Sequence, residues 1–271
     1  MHRLFLLRAY GDFVILIQAL IQSPQKNKYT LIVSQHLEPL YKDLTLVIDL
    51  SSIPIQFVNF GINTSQLRLF TNKYLLSPET LKELKQIRKF VDQNPNTTGQ
   101  DYIEQGTRIS AINFLTGLAF KSMIDNQLVY TNYDHFFKNT GPKQFEMKQI
   151  DNVLILPDAR IQKRVLNLGI IQVIQNYYTQ KAVKTSIARF KHTIEKDDII
   201  YTNFKELIMY IQKANFIIAA DSLPIHLAQL LNKPHFMLFP NGHPRNFITP
   251  YALEYDSYGE FSNFKLPVYK L

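Results

Sequence analysis

The stretch "FIIAADSLPIHLAQLLNKPHFMLF", residues 216–239, runs from an unbroken apolar segment through Asp221-Ser222 into a helix-like pattern and then a second apolar run. The first run is too continuously apolar for a strand with one wet face, so it predicts a strand buried on both sides. Asp221 or Ser222 can cap the helix that follows, and Pro224 falls in its first turn, where a missing N–H costs nothing. At helical spacing Pro224, Leu227, Ala228 and Leu231 share one stripe, while Ser222, His226, Gln229 and Lys233 share another. The histidine is therefore expected off the core stripe. A capped helix with a surface histidine is the plain reading. The sharper one is that the helix start, at the carboxyl end of a parallel strand, receives a phosphate-bearing ligand.

Apolar runs of the same kind recur at 3–7, 29–34, 44–50, 55–60, 152–156, 198–203 and 235–239, alternating with helix-like segments. That alternation predicts parallel sheets covered on both faces. The clearest helix is "SPETLKELKQIRKFVDQ" (77–93), with Ser77 as N-cap and Pro78 in the first turn. Gly141-Pro142 and the polar residues around them mark a break, and each side of it opens with a strand. The expected architecture is α/β with two Rossmann-like domains whose parallel sheets face a central cleft. Residues 1–145 form an N-terminal domain, 146–250 a C-terminal domain, and 251–271 a tail packing back on the first.

The bulk composition narrows the function classes. No apolar run reaches the roughly 18 residues of a spanning helix, so neither an integral membrane protein nor a signal peptide is expected. The absence of cysteine removes disulfides, thiolate zinc sites and cysteine nucleophiles, and suits a cytoplasmic protein. The net charge of +8 is spread evenly, with 15 Lys and Arg against 11 Asp and Glu in residues 1–145 and the same in 146–271. A diffuse positive balance favours anionic partners in general, and no motif for specific nucleic-acid binding is legible. The nine glycines form neither a G-x-G-x-x-G turn nor a P-loop. No Asp-x-Asp occurs either.

Asp-Ser, two residues, then "HLA" and "L-x-KP" before another apolar strand resembles the carboxyl-terminal signature of glycosyltransferase family 9, the heptosyltransferase-type enzymes. Two more segments are similar to that family. In "LLRAYGDFVILIQAL" a strand is followed by a short loop holding Gly11-Asp12 and then an apolar helix. In "LILPDARIQKRVLNLGIIQVI" a strand ends in a basic loop in which Lys163 matches a phosphate-reaching lysine, with Arg160 nearby and Asp158 where the family often has a small residue. The usual glycine after Asp-Ser is here Leu223.

The resemblance implies the GT-B fold and a metal-independent, inverting glycosyltransferase needing no cofactor. Asp12 would be the catalytic base. Gly11, Arg160, Lys163, Asp221, Ser222 and His226 would bind substrate, the last three around the diphosphate of a nucleotide-sugar donor. The implied acceptor is a lipopolysaccharide-type or other surface glycan or glycolipid, contacted by loops at 61–76 and 94–107. The implied place is the cytoplasmic face of the inner membrane, with peripheral membrane contact. Two alternatives stay open on these residues: a non-catalytic descendant that only binds the nucleotide-sugar, and a nucleotide-sugar epimerase.

Overall fold

The computed structural model describes residues 2–6, 10–22, 29–58, 97–99, 150–191, 197–242 and 258–266. The chain divides into two compact units, 1–139 and 140–271. The expected helix at 77–93, the break around 141–142 and the loop at 61–76 lie outside the described residues, as do the strand ends at 7 and 59–60.

In the first unit β1 (His2–Leu6), β2 (Tyr29–Ser34), β3 (Ile55–Val58) and β4 (Thr97–Gly99) form a parallel sheet in the order β3-β2-β1-β4. Helix α1 (Tyr10–Gln22) follows β1 and buries Phe13, Val14, Ile17 and Leu20, an apolar stripe at helical spacing. The helix starts at Tyr10, so Gly11 and Asp12 lie in its first turn and not in a loop before it.

The strand expected at 44–50 is not formed. Residues 44 and 45 end helix α2 (Glu38–Thr45) and a turn follows. Pro39 starts this helix, Leu40 and Leu44 bury one face, and Lys42 pairs with Glu38 at 2.8 Å on the other. Leu46 and Val47 are consequently exposed.

The second unit holds β5 (Asn152–Leu156), β6 (Lys184–Phe190), β7 (Ile199–Tyr201), β8 (Phe216–Ala220), β9 (His235–Phe239) and β10 (Tyr258–Glu260). All neighbours are parallel and the order is β7-β6-β5-β8-β9-β10. The chain thus winds outward from β5 through β7, returns to β8, and winds outward the other way. That reversal is the doubly wound Rossmann pattern, with its switch point between β5 and β8. Strands β8 and β9 are buried along their whole length, as expected for a sheet covered on both faces.

Three helices serve this sheet. In α3 (Leu168–Thr179) the N-cap Asn167 accepts a hydrogen bond from the Ile170 amide, and Ile170, Ile171, Ile174 and Tyr178 enter the core. Asn203 caps α4 (Phe204–Lys213) in the same way, at 2.9 Å from the Glu206 amide. The last, α5 (Leu223–Leu230), packs on β8, β9 and α4.

At the amino edge Asn215 and Asn152 exchange side-chain to backbone hydrogen bonds of 3.0 and 3.2 Å, which fixes the register of β5 against β8. Residues 258–266, within the expected tail, add the sixth strand here, and Leu266 joins the core. A Cβ at Gly259 would overlap Phe264 and crowd the Phe236 ring, so only glycine permits this closure.

Candidate functional site

In a doubly wound sheet ligands enter the crevice outside the carboxyl ends of the strands at the switch point. Here that crevice is flanked by residues 157–166, after β5, and by Asp221-Ser222, after β8. These are the two second-unit segments singled out from the sequence, and the fold brings them together.

The loop after β5 is closed by its own backbone. The Leu166 amide donates to the Pro157 carbonyl at 3.0 Å, and Arg164 and Val165 donate to the carbonyls of Ile161 and Gln162 within a 3-10 turn (Gln162–Arg164). Arg160 and Lys163 are exposed. Lys163 makes no hydrogen bond or ion pair among the described residues. Arg164, not singled out in the sequence, is half-buried and places Nη1 3.1 Å from Asp221 Oδ2. Its Nε is buried and has no partner among the described residues.

On the other flank, the Asp221 amide continues the sheet by donating to the Leu238 carbonyl at 3.0 Å. Ser222 occupies the N-cap position with an extended backbone, but its hydroxyl makes no capping bond. It donates instead to the Asp158 carbonyl at 2.9 Å, with Ala220 O at 3.4 Å. The expectation of a capping Ser222 is thus corrected: the hydroxyl ties one flank of the crevice to the other. Ser222 gives α5 no side-chain cap, Pro224 has no N–H and the Ile225 amide already donates to the Ser222 carbonyl at 3.3 Å, so the positive end of the helix dipole at the crevice is carried by the start of the first turn.

His226 is not on a surface stripe. It is 5% exposed, and seven consecutive residues of α5, from Pro224 to Leu230, are buried. The helix is covered on both sides, so its polar residues bond to one another. His235 Nδ1 lies 2.8 Å from the Lys233 carbonyl, which only accepts, so Nδ1 carries the proton and Nε2 is an acceptor. Gln229 Nε2 donates to that Nε2, leaving Gln229 Oε1 to accept from His226 Nδ1, each at 3.5 Å. This polarity turns the lone pair of His226 Nε2 toward Asp221 Oδ1, 3.8 Å away. Burial holds the pKa of His226 below its usual value against the opposing pull of Asp221, and lowers that of His235 to about 4. Both rings are neutral at pH 7.

Gly11 and Asp12, the remaining predicted site residues, belong to the first unit. They follow β1, the strand at which that sheet reverses its own order from β2-β3 to β4. Tyr10 in the same turn donates its hydroxyl to the His36 carbonyl at 3.3 Å, and His36 Nδ1 meets Ser34 Oγ at 3.0 Å at the end of β2.

Comparison with solved structures identifies the fold. A glycosyl transferase family 9 structure from Veillonella parvula superposes with a TM-score of 0.53 at 10% identity, over 96% of this chain and 86% of that one. The ADP-heptose lps heptosyltransferase II of E. coli gives a TM-score of 0.51 at 12% identity, over 96% and 90%. The fold is that of the GT-B glycosyltransferases. No protein-family profile matches the chain, and no curated protein matches its sequence. The likeness to GT-B structures is therefore one of fold.

Proposed function

We propose that this chain is a metal-independent, inverting glycosyltransferase that takes a sugar from a nucleoside-diphosphate donor and delivers it to a hydroxyl of a surface glycan of the lipopolysaccharide type. The observation that carries the reading is the switch-point crevice, where the Ser222–Asp158 bond and the Arg164–Asp221 pair join the basic loop to the uncapped start of α5. A diphosphate meets its needs there: backbone amides at the positive end of a helix and cations on the facing loop.

Arg164 takes the main cationic role and Lys163 and Arg160 support it. Asp221 orients Arg164, and His226 acts behind Asp221 and does not touch the ligand. The donor base and sugar follow no legible pattern, though one GT-B neighbour is named for ADP-heptose. Within the first unit Asp12, at the start of α1 beside Gly11, is the base. It removes the acceptor hydroxyl proton as that oxygen bonds to the anomeric carbon. The bond from that carbon to the diphosphate breaks, and the electron pair leaves on the diphosphate, whose charge Arg164 and the α5 amides stabilise. The acceptor places the enzyme at the cytoplasmic face of the inner membrane. Among the described residues no helix is long and apolar enough to cross a membrane, and the net charge of +8 suits an anionic surface.

Leu223, the first residue of α5, stands where the family has glycine, and this favours a second reading as a nucleotide-binding protein without transfer. A thermal-shift titration with ADP, GDP, UDP, CDP and dTDP tests the shared part. A diphosphate at 100 times its Kd adds about 2.7 kcal/mol of stability. One nucleotide is expected to stabilise the wild type and to lose its effect in Arg164→Ala/Lys163→Ala. No stabilisation by any of the five overturns the donor site. Asp12→Asn then separates the two readings: transfer should fall about 10²- to 10⁴-fold with nucleotide affinity unchanged, whereas a binding protein shows no transfer to lose.

A further inference from the structure

The end of β6 holds a buried ionic cluster that the proposed chemistry does not use. Arg189 is 1% exposed. Its Nε donates to Asp198 Oδ2 at 2.7 Å and its Nη1 to Asp158 Oδ1 at 3.1 Å. The other oxygen of Asp158 accepts the Phe190 amide at 2.9 Å, so the carboxylate is gripped twice by the end of β6. The same residue's backbone carbonyl receives the Ser222 hydroxyl. One continuous polar string therefore runs from the start of β7, through the end of β6 and the loop after β5, to the start of α5.

A cluster of this kind is poorly explained as a device for stability. Burying a guanidinium between two carboxylates costs several kcal/mol of desolvation, and apolar residues of the same volume often serve as well or better. Here Arg189 Nη2 is also buried with no partner among the described residues, a further cost. What an ion cluster supplies and an apolar patch does not is direction. Asp158 has no freedom to slide along β6, so its carbonyl is held where Ser222 reaches it. The first residues of the basic loop are fixed relative to the α5 amides.

We propose that Arg189 is a positioning residue for the donor diphosphate, acting through Asp158 to hold the loop of Arg160, Lys163 and Arg164 in register with the start of α5. This rests on the donor reading above. At 1% exposure Arg189 does not itself meet the ligand. Tyr201, whose hydroxyl is held protonated by burial and by the charge of Asp158, lies in the same buried cluster.

The test uses the full chain and two readouts: hydrogen exchange of residues 157–166 without ligand, and the Kd of whichever nucleoside diphosphate stabilises the wild type. Asp158→Ala cuts the loop from the clamp but leaves the Arg189–Asp198 pair whole, and its circular dichroism is expected to match that of the wild type. It should raise exchange at the amides of Arg164, Val165 and Leu166 by about tenfold or more, with β8 and β9 unchanged, and weaken nucleotide binding about tenfold or more. Asp198→Asn removes the charge of the partner that is not on the loop and should leave Kd within about twofold. Arg189→Lys, which reaches one carboxylate, should restore part of the affinity that Arg189→Met loses.

Unchanged loop exchange in Asp158→Ala overturns the clamp. Loosened exchange with an unchanged Kd overturns its role in binding, as does an equal loss of affinity in Asp198→Asn. If no nucleotide binds the wild type, the donor reading falls and this role with it, while the exchange result still decides whether the clamp holds the loop.

Discussion

The two turns that flank the switch point are built in opposite ways. The turn after β5 takes eleven residues, carries three cations and is anchored by Asp158 on a buried arginine. The turn after β8 takes two residues and is anchored by apolar burial, between a strand and a helix that are both enclosed. Among the described residues, the buried titratable groups behind it in α5 and β9 are two neutral histidines, His226 and His235, bridged by the uncharged Gln229. The difference teaches what each turn contributes to an anion site. A helix start needs rigidity, which apolar burial supplies, and the one carboxylate in this turn, Asp221, is paired across the crevice with Arg164. A basic loop repels itself, and it holds its shape only where a counter-charge is fixed nearby.

The hardest test of this contrast is Arg189→Met. It leaves Asp158 and Asp198 facing one another without their shared cation, and breaking a buried ion cluster from one side costs about 3–5 kcal/mol. Denaturant unfolding followed by circular dichroism should show that loss. Adding Asp198→Asn to Arg189→Met should recover part of it, since one uncompensated charge is removed. A cost under about 1 kcal/mol would mean that the loop after β5 is held, like its counterpart, by packing alone.

The contrast also explains what could be read from the sequence. Strands β5 and β9 were legible to the residue, because a strand buried on both faces is an unbroken apolar run. The turn after β8 was legible for the same reason, as was its place at the start of a helix. Strand β6 was not. It reads "KTSIARF", and its polar residues hide a segment whose Ile187, Ala188 and Arg189 are all buried. Arg189 was hidden with it: a lone arginine in a mixed segment gives no sign that two aspartates, one 31 residues earlier in the chain, converge on it.

His226 misled in the opposite direction. Helical spacing put it with Ser222, Gln229 and Lys233 on a polar stripe, which normally means solvent, but α5 is enclosed on both sides and its polar residues satisfy one another. The run 44–50 was misread because "LTLVIDL" is as apolar as a strand, while Pro39 and the Leu40–Leu44 pair had already committed its first residues to a helix. Arg164 was passed over for its neighbour, since nothing in "QKR" says which of two adjacent cations turns inward.

A second effect, of about 3 kcal/mol, distinguishes the neutral turn from the charged one by pH. His235 has a folded pKa of about 4, lowered by burial from an ordinary value of 6.5, and that of His226 is lowered by the same cause. Above 6.5 both states are neutral and stability is at its full value. As pH falls from 6.5 toward 4 the unfolded chain takes up a proton that the folded His235 refuses, so stability declines at about 1.4 kcal/mol per pH unit for that site, and His226 acts in the same direction. Unfolding measured at pH 7 and pH 4.5 should show this loss, and His235→Gln should flatten its own share. A pH dependence that persists undiminished in His235→Gln places the titrating group elsewhere.

The smallest effect is the most informative about how the turns are joined. Ser222→Ala removes one hydroxyl that donates to a backbone carbonyl and should cost about 1 kcal/mol. Arg164→Ala removes the other cross-link, a partly exposed ion pair, and should cost no more. If the turns are separate features that happen to touch, the two losses add within about 0.5 kcal/mol. If the crevice is one unit, the first substitution already frees the turns, and the second then finds less to break. The double variant should lose less stability than the sum of the singles, by about 0.5 kcal/mol or more. The same cycle run on nucleotide affinity carries the contrast to the ligand. A diphosphate that needs both flanks at once should lose nearly as much from either substitution as from the pair, whereas one held by the α5 amides alone should be indifferent to Ser222 and respond to Arg164 only through its charge.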